Sequence, residues 1–201
     1  MRNKKIFDMV ILATFLTIII VLTITGLGYI TLPFFPLVSG TIIHIPVLIA
    51  CIYFGKKIGV GTGLIFGLSS WLYALTRAAL PIEFVFRNPI VAIFPRVLFP
   101  LIAYYIYNSI KKMIKNDSLN IILTSVISTL IHALLVLPLI MIFGPDRIAE
   151  VYQSQGVSLQ ILLNMVWTTL VFNTILEMVL AGAIVAPIVL ALRSANNKFD
   201  N

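Results

Sequence analysis

Charge is what this sequence has least of. Only 10% of its 201 residues are Asp, Glu, Lys or Arg, against roughly 25% in soluble globular domains. Hydrophobic residues make up 60%, and the mean hydropathy is +1.09. A soluble fold of this size has no interior large enough to hide so much apolar surface, so the chain reads as a polytopic membrane protein. Cysteine is nearly absent as well. The single Cys51 sits in an apolar run, which excludes a disulfide framework and a CxxC metal site. Two histidines stand on separate apolar segments with no acid beside either, so no H-E-x-x-H metalloprotease pattern exists. Ser69 or Ser70 with His132 would make a nucleophile–base pair, but G-x-S-x-G is missing. GxGxxG and Walker A sequences are missing too. The reading is therefore not an enzyme, with no cofactor and no metal.

The charges that are present serve as topology marks. The net charge of +7 would suggest nucleic acid if it were clustered. The basic residues instead fall at the ends of apolar segments, so no nucleic-acid partner is expected and the bilayer is. MRNKKIFDMV runs straight into an apolar stretch without an A-x-A-like cleavage site, as a retained first helix does.

A spanning helix needs about 20 mostly apolar residues. Six segments qualify as candidates: 6–26, 40–54, 57–76, 89–110, 119–143 and 158–192. The second is short, and the last exceeds one crossing, so it must tilt or project. Ten basic residues lie before span one, between two and three, between four and five, and after six. Only Arg77, Arg87 and Arg147 lie in the other connections. The positive-inside rule then puts both termini in the cytoplasm. The expected fold is an all-α membrane protein, a single domain over 1–201 built as a bundle of six transmembrane helices. Asn88-Pro89 is a helix start, with Asn as N-cap and Pro first. Asn116-Asp117-Ser118 is a solvated turn, and 143–156 is the outer loop. Gly55, Gly59, Gly63 and Gly67 recur every four residues along span three. Such a face packs inside the bundle or docks another subunit.

Polar residues inside the spans locate a site. At 1.5 Å per residue, Arg96 in FRNPIVAIFPRVLF (86–99) lies roughly 10 Å below the outer surface. An arginine there costs from ~2.5 to over 10 kcal/mol. His44, His132, Trp71, and Gln160, Asn164 and Trp167 in the first turns of span six fall in the outer half of the bundle too. Each has a plainer reading: carbonyl-bonded core histidines, interfacial tryptophan anchors, an interhelical asparagine. Glu177, the sole acid well inside a span, sits by the same ruler at midplane or deeper and is not the favoured partner of Arg96. Glu83 is another candidate. If neither reaches, an anionic ligand whose carboxylate matches the guanidinium fork is the natural partner. Pro95 cannot donate to the Val91 carbonyl, which leaves an acceptor nearby.

The segments IHIPVLIACIYFGKKIGVGTGLIFGLSS (43–70) and FRNPIVAIFPRVLFPLIAYYIY (86–107), on a six-span layout, resemble the substrate-binding S components of energy-coupling factor (ECF) vitamin transporters. Among these the pantothenate-type members are the most similar, with riboflavin-type members close by. The resemblance implies a multi-pass protein of the bacterial cytoplasmic membrane that binds a vitamin near the outer face. It also implies an ECF module as partner: a transmembrane coupling subunit plus two cytoplasmic ATPases, with ATP-driven toppling releasing substrate inside. Pantothenate would place its carboxylate on Arg96 and its polar middle on Asn164, His132 and Gln160. Trp71 and Tyr73 would cover apolar surface, with His44, Asn88 and Trp167 completing the site. Riboflavin or another vitamin is the alternative, with stacking on Trp71, Trp167 and Phe86. The alanine-rich docking face of such proteins is reduced here to Ala13 and Thr17, which Gly59, Gly63 and Gly67 would supplement. A proton-coupled carrier, with Glu177 as its proton site, or a membrane scaffold is the rival class.

Overall fold

The computed structural model describes residues 3–32, 35–78, 81–144 and 159–199. Helix α1 spans Lys4–Ile24 and begins at Asn3, whose side chain accepts from the Lys5 amide. A hairpin of β1 (Tyr29–Leu32) and β2 (Phe35–Thr41) follows, with Tyr29 opposite Thr41. Then come α2 (His44–Phe54), α3 (Lys56–Arg77), the short α4 (Pro81–Val85), α5 (Pro89–Met113), α6 (Asp117–Phe143) and α7 (Leu159–Phe199). The architecture is that of an all-α membrane protein, with one correction. The connection after the first helix is an antiparallel hairpin.

Five helices, α1, α3, α5, α6 and α7, are long and apolar enough to cross a membrane. Helix α2 is different. Its 11 residues rise only about 16 Å, half the ~30 Å hydrocarbon core. Nine of them are buried, so α2 is a core element around which the longer helices gather. Gly55 joins it to α3 without a spare residue, at φ +89°, a conformation glycine adopts without strain. The Asn88 cap forms as read, accepting from the Ile90 amide; Asn116, read as part of a solvated turn, caps α6 by accepting from the Leu119 amide, and Asp117 and Ser118 already belong to that helix. The outer-loop assignment at 143–156 falls mostly outside the described residues.

Lipid supplies no hydrophobic drive between helices, so close approach must hold them. The glycine face of α3 provides it. A Cβ on Gly59 would stand 2.7 Å from the Cys51 Cα, and one on Gly67 2.9 Å from the Ile93 Cα. At Gly63 it would meet the Arg96 carbonyl oxygen and, at 2.7 Å, the Pro100 ring. These glycines therefore seat α3 on α2 and α5. Charge pairs tie the lysine-rich end. Lys57 reaches Asp8 at 2.9 Å. Arg193 pairs with Asp117 and donates to the Tyr107 hydroxyl at 2.8 Å, joining α7, α6 and α5.

Candidate functional site

A cavity of about 140 Å³ opens in the half of the bundle away from the lysine-rich end. The hairpin contributes Tyr29 and Thr41, α3 contributes Phe66, Ser70 and Tyr73, and α4 contributes Glu83. Phe86 precedes α5, which contributes Arg96. His132, Val136 and Ile140 come from α6, and Leu170, Asn173, Thr174 and Glu177 from α7. The last four fall at i, i+3, i+4 and i+7, one face of a helix.

Arg96 is 6% exposed. Pro95 has no N–H to give the Val91 carbonyl, and Arg96 Nη1 donates to that oxygen instead, at 2.7 Å. The proline thus frees the acceptor that fixes the neighbouring guanidinium. The Phe86 ring lies 4.6 Å from the guanidinium carbon and Phe66 5.5 Å, faces that attract a cation. Among the described residues no carboxylate stands within ion-pairing distance of Arg96, and its Nε is buried without a hydrogen-bond partner. One edge of the guanidinium is held in place, then, while Nε is a buried donor without a partner among the described residues.

Glu177 shares the cavity, against the expectation that it lies too deep. Its Oε1 accepts from the Thr41 amide at 2.6 Å, so α7 holds the end of β2. The depth ruler failed because α7 runs for 41 residues, about 61 Å at 1.5 Å each; its first turns are a poor origin for depth. Tyr29 stacks near Tyr73, ring centroids 5.1 Å apart. Its phenol hydroxyl, protonated at neutral pH as any tyrosine is, can donate.

The residues singled out from the sequence divide. Arg96, His132 and Tyr73 line the cavity. His44 is buried behind it, its ring 6.2 Å from that of His132 and its Nδ1 2.8 Å from the Thr41 carbonyl. Among the described residues Trp71, Trp167 and Asn88 do not line it. Trp71 Nε1 donates to the Arg87 carbonyl at 3.0 Å, and Asn88 caps α5. The side chains of Gln160 and Asn164 lie outside the described residues. Ala13 and Thr17 are exposed on α1, whereas the space beside Gly59, Gly63 and Gly67 is filled by this chain. Sequence reasoning missed Tyr29, Thr41, Asn173 and Thr174. The helical spacing of 170, 173, 174 and 177 was the signal that would have found the last two.

Chemically, the described residues give the cavity one cation, hydroxyl, amide and carboxylate groups, and an apolar wall. That suits a small molecule with an anionic end, a hydrogen-bonding middle and some hydrocarbon. The comparisons with known proteins agree in kind. The model of the family described as "ECF transporter, substrate-specific component" matches residues 7–189. The pantothenic acid transporter PanT of Lactococcus lactis subsp. cremoris (strain MG1363) is 29% identical over 98% of this chain and 99% of its own length.

Proposed function

Because the chain belongs to the ECF transporter substrate-specific component family, we propose that it captures pantothenate at the outer face of the cell membrane for ATP-driven import. Members of this family bind a transported substrate and are not enzymes, and the chain is a multi-pass protein of the cell membrane. The observation that carries the pantothenate reading is the state of Arg96: buried, oriented, bordering a cavity, and without an ion-pair partner among the described residues. Likeness to a pantothenic acid transporter over nearly the whole chain supports it.

In this reading the pantothenate carboxylate meets the open edge of the Arg96 guanidinium, a charge-assisted bond in a site of low dielectric. Asn173 and Glu177 accept from its hydroxyls and amide, Tyr29 donates, and its methyl groups lie against Val136 and Leu170. The hairpin and α2 together make the second of six crossings, which puts both termini in the cytoplasm. The glycine face being used internally, the ECF module docks along α1, where Thr17 bonds back to the Ala13 carbonyl at 3.0 Å and leaves a smooth exposed face. The module supplies the two ATPases.

Mass spectrometry of small molecules released from the purified protein tests the ligand directly. Pantothenate is the expected result. Riboflavin would keep the family and overturn the assignment of Arg96, whose guanidinium already covers Phe86. An empty preparation is followed by titrating pantothenate against tryptophan fluorescence, and no saturable change at micromolar concentrations would reject the ligand.

A further inference from the structure

Several threonines and one serine in the helices of this chain share one habit. Thr14, Thr17, Thr23, Thr62, Ser125 and Thr174 each donate to the carbonyl four residues earlier. That bond lets a hydroxyl sit among apolar neighbours without help from another helix. Ser128 and Thr129 do not make it. Among the described residues their oxygens are buried and without a hydrogen-bond partner, as are the Asn120 Nδ2 and the Nε2 atoms of His132 and His44. Asn120, Thr124, Ser128 and His132 stand four residues apart, one stripe along α6 of about 18 Å. Thr129 flanks it. Within the stripe Thr124 donates to the Asn120 Oδ1 at 3.2 Å, while its other members have polar atoms left over.

At the upper end of this stripe His132 lines the cavity, and the fully buried His44 stacks behind it. The Thr41 carbonyl can only accept, so His44 Nδ1 carries the proton, and in the neutral ring Nε2 is an acceptor. Hydroxyl and amide donors and an imidazole acceptor thus lie along one buried seam. Buried polar groups without partners are costly and rare. Water, which makes two to four bonds of either kind, is the ligand that fits a mixed set.

We propose that the α6 stripe holds internal water, a short file running from His132 past Ser128 and Thr129 toward Asn120. It is separate from the vitamin site described above, since Asn120, Ser128, Thr129 and His44 do not line the cavity, and it does not depend on which ligand binds there. Water behind His132 bonds its Nε2 and so holds the ring that forms part of the cavity wall.

Two measurements on the full chain in nanodiscs test it. Ser128→Ala and Thr129→Val each delete a hydroxyl with little change of volume. If water is bound there, each variant lowers Tm by about 2–4 °C. If the hydroxyls have no partner, deletion leaves Tm unchanged or raises it, which overturns the proposal. The second measurement needs no variant at the seam. In ¹⁵N-histidine-labelled wild-type protein, water-edited solid-state NMR should carry magnetisation from water to the His44 ring, assigned by comparison with His132→Asn. Absence of transfer to His44 overturns the proposal whatever the melting temperatures show.

Discussion

In the proposed function Arg96 meets the ligand's charge with one side chain. Its placement costs at least ~2.5 kcal/mol in a membrane interior. A carbonyl and two ring faces stabilise it, while Nε has no partner among the described residues. Arg96→Ala is expected to weaken pantothenate binding by about 2–5 kcal/mol, as for one partner of a buried charge pair. Lysine there keeps the charge but loses the fork, so an intermediate loss is expected. Calorimetric titration of folded variants checks both, and unchanged affinity removes Arg96 from the site. Glu177, besides its proposed contact with the ligand, holds the hairpin through the Thr41 amide. Glu177→Gln retains an acceptor for that amide and is expected to keep affinity within about tenfold, or about 1.4 kcal/mol. Glu177→Ala strands a buried donor and should cost about 1–3 kcal/mol. Equal losses in the two variants would show that the charge matters, and not the acceptor.

Among the elements, α3 and α5 set the geometry of the cavity. The two helices approach so closely at Gly63 that an added methyl meets the Arg96 carbonyl oxygen, which is backbone and cannot step aside. Gly63→Ala should therefore push α5 outward and destabilise the fold by about 1–3 kcal/mol. Gly61 is the control. A methyl there meets only the Leu12 Cδ2 at 2.8 Å, the end of a flexible side chain, so Gly61→Ala should change stability by less than ~0.5 kcal/mol. Thermal unfolding in one detergent compares them, and equal shifts would contradict the assigned packing. The glycine spacing was plain in the sequence. Which neighbour it faced was not, because a four-residue period states that a face is smooth and says nothing of what lies on it.

At the level of the whole molecule, binding and energy supply belong to different chains in the proposed function. The purified protein should bind pantothenate without nucleotide, and cells should accumulate labelled pantothenate only when the ECF module is present. Accumulation without the module, abolished by a protonophore, would instead favour a proton-coupled carrier. Much of this was legible early. Low charge and long apolar runs required membrane helices, and five of the six proposed spans correspond to helices long enough to cross. The candidate site was legible only in part, because depth along a helix was measured from ends the sequence leaves loose.

The sequence by itself determined the membrane, the helices, the Asn88 cap and the oddity of an arginine behind a proline. Each is local, written in hydropathy, in a side chain within reach of its own backbone, or in a missing N–H. Only the tertiary structure decided that Arg96 would take the carbonyl Pro95 releases, that Glu177 would hold the hairpin, and that α2 would be a buried short helix. It alone turned the glycine face inward and left Ser128 and Thr129 without partners among the described residues. Those outcomes depend on which helix faces which, and that choice is made by packing among residues distant in sequence.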